Sequence, residues 1–468
     1  MIITADKAPE NTIAKIPVNP SGSSYVYRIA TAAAVSGLLF GFDTAVINGA
    51  LLFLQQEFRL DDFATEIAVG ALLVGCLLGA AGAGALGDRF GPKRVLIGAG
   101  AVFGLTSLAT ALPRDLHQFV LARLLAGVAI GVASVLAPMY VAESSPPHLR
   151  GRLVSLNQVA IATGVLCAFL TNWALSDSGK SSWRIMFAVA ALPSFAFFVS
   201  LLFVPESPRW LLRAGRPEEA LRVLRKISGT QAEVEVQEIR NSLAEESGKL
   251  REILNPRLRR PLVISITLAV LSQITGINTV IYYGAVLFRY HAGQTDASSA
   301  IGANVIVGMV SFLATIIATL VVDRMGRKPL LLTGSAGMAL SLGLLGAALR
   351  ISPPRTSLIV GAVLFYVGSF NIGLAPVTWV YIAELFPTAI RGRAMSVATL
   401  SLWAACLATA FSFLTLMRLL SPSGTFWLYA TLSAITFLFV WRLVPETKGR
   451  SLEQIQSMWW NEGGTKLR

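Results

Sequence analysis

Apolar residues along this chain do not alternate with polar ones, nor do they recur as a single stripe at helical spacing. They fill about twelve uninterrupted runs, at roughly 29–54, 67–86, 95–112, 119–142, 153–173, 185–204, 261–288, 299–322, 330–349, 357–383, 394–417 and 425–444. Each run is long enough for a helix to cross the roughly 30 Å hydrocarbon core of a bilayer, and each is uniform enough to face lipid or other helices on all sides. The pattern predicts a polytopic α-helical membrane protein. Polar residues gather in short stretches between the runs and in one long segment, 205–260, where "RPEEALRVLRKI" sets apolar positions at helical spacing among Arg, Glu and Lys. That segment reads as amphipathic helices outside the membrane, either a solvated spacer or a latch under one face.

Composition agrees with this reading. Hydrophobic residues make up 54% of the 468 and charged residues only 14%, against about 25% charged in a soluble domain; mean hydropathy is +0.64. The three cysteines, Cys76, Cys167 and Cys406, sit singly in different runs and give neither a disulfide framework nor metal-ligand spacing. The first 24 residues have no short apolar core before a cleavage site, so residues 1–27 are expected to be a cytoplasmic tail. A net charge of +13 suggests nucleic acid at first sight, but its distribution excludes it. The short segments 87–94, 143–152, 323–329 and 384–393 hold ten Lys and Arg between them and 205–260 holds twelve, while the intervening loops mostly hold one each. By the positive-inside rule, both termini and 205–260 belong in the cytoplasm.

The chain also repeats itself. "GDRFGPKR" (87–94) is echoed by "DRMGRK" (323–328), "ESSPPHLRGR" (143–152) by "ELFPTAIRGR" (384–393), and "VPESPRWL" (204–211) by "VPETKGRSL" (444–452). The offsets are 235, 241 and 240 residues, measured from Asp88 to Asp323, Glu143 to Glu384 and Glu206 to Glu446. A parallel duplication of a six-helix unit is an architecture of secondary transporters. The expected organisation is a six-helix bundle at 28–204, linker helices at 205–260, a second bundle at 261–444 and a tail at 445–468.

These motifs, with "GLLFGFDTAVING" (37–49) and "SQITGINTVIYY" (272–283), resemble the sugar porter branch of the major facilitator superfamily over about residues 36–452. The resemblance implies the major facilitator fold and proton-coupled symport of a monosaccharide by alternating access, with a hexose such as glucose first and a pentose or cyclic polyol as alternatives. It implies substrate contacts from Phe40, Gln158, Ser272, Gln273, Asn278, Trp379 and Trp403, and an extracellular gate at Tyr282 and Tyr283. A cytoplasmic gate network would comprise Asp88, Arg89, Glu143, Arg150, Arg152, Glu206, Asp323, Arg324, Arg327, Glu384, Arg391, Arg393 and Glu446. Pro92 stands where the branch usually has Arg or Lys, which thins the N-terminal half of that network. Ser272, Ser311 and Leu402 replace longer amides of the branch, and Asn371 stands where it has an acid or another polar residue.

Physical reasoning supports several of these positions independently. Unpaired polar groups in hydrocarbon cost several kcal/mol, so Gln158, Gln273 and Asn278 should face the bundle interior. An amide both donates and accepts, as a hydroxyl does, which suits a neutral sugar. Gln273 and Asn278 are about 140° apart on an ideal helix, and facing one ligand requires a break, for which Gly276 offers the place. Asp43 is the one acid in an apolar run from Ile29 to Leu54; such acids usually pair or mark proton paths. Arg123 is its candidate partner, on a face shared with Gly127 and Gly131 where another helix can approach closely. Phe40 and Ile47 share the face of Asp43, and Gly37 and Gly41 mark a different one. In the branch an acid at this position is typical of proton-coupled members and a neutral residue of facilitators.

No cofactor or metal is expected beyond the proton as coupling ion, and the partners are a small neutral sugar or polyol, protons and the lipid bilayer, with the chain acting as a monomer. The competing readings are a facilitative uniporter, a drug–proton antiporter and a non-transporting sugar sensor. An enzyme is disfavoured by the three histidines, His117, His148 and His291, which lie near run ends without a nucleophile or metal pattern.

Overall fold

The computed structural model describes residues 20–245, 258–291, 296–386 and 388–448. Among the described residues, twelve helical spans are long and apolar enough to cross a membrane. In the first half they are α1 (Pro20–Glu57), α2 (Asp62–Phe90), α3 (Pro92–Ala111), α4 (Leu116–Glu143) and α5 (Pro147–Leu175), followed by one span broken at Ala190 into α6 (Ser182–Val189) and α7 (Ala191–Leu202). Among the described residues of the linker there are three short α-helices: α8 (Pro208–Arg213), α9 (Pro217–Ser228) and α10 (Ala232–Glu245). The second half opens with a span broken into α11 (Arg259–Ile274) and α12 (Ile277–His291), then α13 (Ala297–Met325), α14 (Arg327–Ala348), α15 (Thr356–Leu385), α16 (Thr388–Leu419) and α17 (Ser421–Leu443). Among the described residues there is no β-strand, as lipid demands of chains that cannot close a barrel.

Helix ends follow local chemistry. On the face away from the linker, α2, α4 and α13 start at Asp61, Asp115 and Asp296, whose carboxylates accept from the backbone N–H groups of Ala64, Gln118 and Ser299. On the linker face, α2 stops at Gly91 and α13 at Gly326, with φ of 90° and 96°, a turn open to glycine at little cost.

The two halves repeat one another in packing as in sequence. Within the first half α2 lies on α4 and α1 on α5; across the halves α2 meets α16, α5 meets α13 and α1 meets α12. The first two cross-half pairs exchange equivalent spans, as a pseudo-two-fold requires. Glycines bring the backbones together. A Cβ at Gly75 would lie 2.1 Å from the Leu124 carbonyl oxygen, and one at Gly127 2.0 Å from that of Leu72. The small face of α4 therefore receives α2, while Arg123, one turn earlier, reaches α1. The Gly37 and Gly41 face of α1 docks on α5, against Asn157 and the Ile161 carbonyl.

One expected boundary shifts. Residues 20–27, expected in the tail, are already helical, because α1 runs past its apolar stretch to pack on α9 of the linker. There the Lys226 ammonium lies 5.7 Å from the Tyr25 ring centroid. The rest of the N-terminal tail, and the C-terminal tail beyond Lys448, lie outside the described residues.

Candidate functional site

In the first half, α1 and α4 bring Asp43 and Arg123 together although they are 80 residues apart in sequence. One guanidinium nitrogen, Nη1, donates to both carboxylate oxygens, at 2.8 Å to Oδ1 and 2.7 Å to Oδ2, and Nη2 reaches the Asp43 carbonyl at 3.5 Å. The two side chains are 2% and 1% exposed, and the Phe187 ring lies 5.2 Å from the guanidinium carbon. Such a pair is held by mutual attraction against a large desolvation cost, so neither charge can be lost alone without stranding the other.

Beside this pair lies a cavity of about 1000 Å³ between the halves, running from mid-bundle to the linker face. Phe40, Gly41 and Thr44 of α1 line it. All seven residues expected to touch substrate line it too: Phe40, Gln158, Ser272, Gln273, Asn278, Trp379 and Trp403. The seventh span breaks at Gly276, whose φ is 92°, and the break is packed by the Tyr429 ring and by the Tyr366 hydroxyl, which donates to the Thr275 carbonyl at 2.9 Å. The turn brings Asn278 back to Gln273, with Nδ2 donating to Oε1 at 2.6 Å. Gln273 donates to Ser272 at 3.0 Å, and Asn278 also reaches the Cys406 sulfur at 3.1 Å. From the opposite wall Gln158 donates to the Ala375 carbonyl at 3.2 Å, across the two halves. Phe40 and Trp403 meet edge to face at 5.5 Å, and the Trp403 indole N–H is buried without a partner. Ser311, Asn371 and Leu402 also line the cavity; Asn371 is engaged by Thr315 at 3.1 Å.

The opposite face is sealed. Asn48 of α1, fully buried, donates to the Ile281 carbonyl at 2.8 Å and accepts from the Ala285 N–H at 3.1 Å, so one amide bridges two groups one helical turn apart on α12. Its Nδ2 also reaches the Val280 carbonyl and the Asn304 side chain, both at 3.3 Å. Tyr283 donates to the Ala410 carbonyl at 3.1 Å. Glu66 of α2, 1% exposed, accepts from the Thr415 N–H at 2.9 Å and its hydroxyl at 3.2 Å. Of the two expected gate tyrosines, Tyr283 belongs to this seal whereas Tyr282 lines the cavity. Sequence reasoning missed Asn48 and Glu66; the signal for both was a long polar side chain inside an apolar span.

At the linker face the motif copies build matching structures. Glu206 accepts from the N–H groups of Lys93 and Ser207, at 2.9 and 3.0 Å, while Glu446 accepts from Arg327, Lys328, Thr447 and Lys448 at 2.9–3.1 Å. Each acid therefore caps the start of its half's third span, α3 or α14. Burial pushes the Glu206 carboxyl above the ordinary carboxylate range, against the N–H groups of Lys93, Ser207 and Arg94. Burial acts in the same sense on Glu446, but the four N–H groups outweigh it and hold its carboxyl below that range.

Ser207 donates to Glu143, and Thr447 to Glu384, each at 2.6 Å. The copies then diverge at Pro92. Arg327 pairs with Glu384 at 2.8 Å, whereas Pro92 holds the equivalent place in the first half. There the linker supplies the positive charge: Arg209 and Arg213 act on Glu143, and Arg213 also bonds Asp88. Trp210 donates to the Asp88 carbonyl at 3.0 Å. The linker is thus bound to the first half, and its Glu235 and Glu238 stand at the cavity mouth. Arg89 stacks on Phe90, and Arg393 lines the cavity. The side chains of Arg150, Arg152, Asp323 and Arg391 lie outside the described residues.

Two six-helix halves around a shared cavity, open to one face and sealed at the other, define a membrane transporter of the alternating-access kind. The family model described as "Sugar (and other) transporter" matches residues 29–459, and the chain belongs to that family, within the major facilitator superfamily. The chain is 37% identical over 453 residues to the arabinose-proton symporter of Bacillus subtilis, covering 95% of this chain and 97% of that one. It is 35% identical to the D-xylose-proton symporter of Escherichia coli (strain K12), covering 93% and 96%. The solved proton:xylose symporter XylE bound to 6-bromo-6-deoxy-D-glucose superposes with a TM-score of 0.82 at 34% identity, covering 94% of this chain and 100% of that one.

Proposed function

We propose that this protein carries a monosaccharide into the cell together with a proton, alternating between a state open outward and the state open to the linker face. The observation that carries this reading is the buried Asp43–Arg123 pair, set one residue from the cavity wall. Ionised, Asp43 holds Arg123 and ties α1 to α4; protonated, it releases the arginine and frees α1 to move with the second half. The linker face is the cytoplasmic one and the membrane is the plasma (inner) membrane, with both termini inside, as the concentration of Lys and Arg on that face supports. The chain works as a monomer, since each carrier holds its own complete cavity.

The substrate is a neutral sugar, with a hexose such as D-glucose the first reading. The amides of Gln158, Gln273 and Asn278 take hydroxyl edges, while Trp379, Trp403 and Phe40 cover the C–H face. Leu402 and the short Ser311 leave the second half with fewer hydrogen-bonding arms, which favours a pentose as the second reading; the relatives named for arabinose and xylose support it. In this account Tyr283 closes the outer gate, and Asp88, Glu143, Arg327, Glu384 and Arg393 reorganise when the inner mouth closes.

The test is made in proteoliposomes with a pH-sensitive dye. Wild type should take up protons on sugar addition, and Asp43→Asn should exchange labelled sugar across the membrane while losing proton uptake and accumulation. Unchanged sugar-driven proton uptake in Asp43→Asn would sink the proposal. A competition panel of hexoses, pentoses and inositols, with and without a protonophore, ranks the substrates.

A further inference from the structure

Gln273 and Asn278 line the cavity, but their amides are not free to show either end to a ligand. A chain of hydrogen bonds fixes which end each one presents. Ser272 of α11 has one hydroxyl hydrogen and gives it to the Ala269 carbonyl at 2.7 Å, so toward Gln273 its oxygen can only accept. The Gln273 Nε2 donates to that oxygen at 3.0 Å, which turns its Oε1 toward α12. Asn278 must then meet Oε1 with its Nδ2, at 2.6 Å, and the second hydrogen of Nδ2 goes to the Cys406 sulfur of α16 at 3.1 Å. The Tyr282 hydroxyl meets the same sulfur at 3.5 Å, and Cys406 is 1% exposed.

The capacity left to each amide follows by count. Both N–H groups of Asn278 are used, while its Oδ1 has no partner among the described residues and Asn278 is half-buried on the cavity wall. Gln273 keeps one N–H unused and its oxygen is taken. Turned over, Asn278 would set Oδ1 against the Gln273 Oε1, acceptor against acceptor. Turning Gln273 as well would set Oε1 against the Ser272 oxygen, whose hydrogen is held by Ala269. The amides are therefore locked from both ends, by Ser272 and by Cys406.

We infer that Cys406 is a positioning residue for substrate selection: it holds Asn278 so that the cavity meets the sugar there with an oxygen alone, and the sugar must bring a hydroxyl that donates. Gln273 offers the reverse, an N–H that needs an acceptor. Two neighbouring amides thus read a donor and an acceptor along one edge of the substrate. This rests on the reading of the cavity as a site for a neutral sugar.

The probes are D-glucose and D-xylose, each with its monodeoxy and monofluoro analogues, bound to the protein in lipid nanodiscs and measured by calorimetry. Fluorine cannot donate and is repelled by a carbonyl oxygen. At the position facing Asn278, the fluoro sugar should bind more weakly than the deoxy sugar, and both at least about tenfold below the parent, the worth of one buried hydrogen bond. In Cys406→Ala the second N–H of Asn278 is released to the cavity, and the order of the two analogues at that position should reverse. In Cys406→Ser the hydroxyl oxygen accepts as the sulfur does, and the native order should stay. A role for Cys406 in packing alone would weaken all analogues together. An unchanged order in Cys406→Ala, or a reversal that also appears in Cys406→Ser, overturns the proposal. Should Cys406→Ala not fold, Ser272→Ala reads the same reversal from the other end of the chain. A second measurement needs no sugar. Ser272 and Cys406 share no bond with one another, so a non-additive shift of the thermal midpoint in Ser272→Ala, Cys406→Ala and the double variant must pass through the amides. Additive shifts overturn the proposal. If neither sugar series binds, the sugar reading fails and this cycle still decides the positioning.

Discussion

The Asp43–Arg123 pair makes an energetic prediction that does not depend on transport. Removing the acid's partner alone strands a carboxylate in a site 2% exposed, a loss of about 3–5 kcal/mol. Arg123→Met should therefore lower the thermal midpoint in detergent sharply, and the double variant Asp43→Asn, Arg123→Met should recover much of it. A double-mutant cycle measures that recovery, and additive losses would show that the two side chains stand independently. This pair was legible in the sequence because a charge inside an apolar run must find a countercharge, and candidates were few. Asn48 and Glu66 were not legible as a seal. Their partners are mainly backbone groups 233 and 349 residues away, and a backbone N–H looks the same at every position of a sequence. Gln273 and Asn278 fall between these cases: the need for a break was visible, but their closing on one another at 2.6 Å was not.

At the level of helices, the glycines of α2 and α4 set how closely backbones approach. A methyl at Gly75 or Gly127 meets a carbonyl oxygen at 2.1 or 2.0 Å, whereas one at Gly82 meets nothing within 4 Å. Gly75→Ala and Gly127→Ala should each cost about 1–3 kcal/mol of stability through overpacking, while Gly82→Ala should be neutral or stabilising by up to about 1 kcal/mol; thermal melts of the three variants check this. The caps of α3 and α14 make a pH prediction. Glu206, raised by burial, contributes stability that is present in acid and fades as pH rises through its folded value. Glu446, held low by four N–H groups, contributes stability present above the ordinary carboxylate value and lost as pH falls. On acidification Glu206 should protonate first. Infrared titration checks the order, with each carboxyl band assigned by its absence in Glu206→Gln or Glu446→Gln. Helix existence was readable from the apolar runs, but the break of the sixth span at Ala190 and the extension of α1 onto α9 were not. Both are decided by what the helix packs against.

For the whole molecule, the offset repeats made the two-bundle plan visible before any contact was known. The asymmetry within that plan was visible only as Pro92. Its structural meaning is that the first half draws positive charge from the linker, through Arg209 and Arg213, where the second half has its own Arg327. The linker is thus fastened to the first half at Asp88 and Glu143, and in the alternation proposed above the second half moves against both. Asn48 bears on how freely that motion can run. Its amide offers the Ile281 carbonyl and the Ala285 N–H the same kinds of bond that a turn of helix can make within itself. When the seal opens, α12 keeps its turn and water takes the freed amide, so little hydrogen bonding is lost. A joint that trades like for like builds no deep well on either side. The carrier's pace is then set by the height of the crossing, and its two resting shapes stay close enough in free energy for a modest gradient to choose between them.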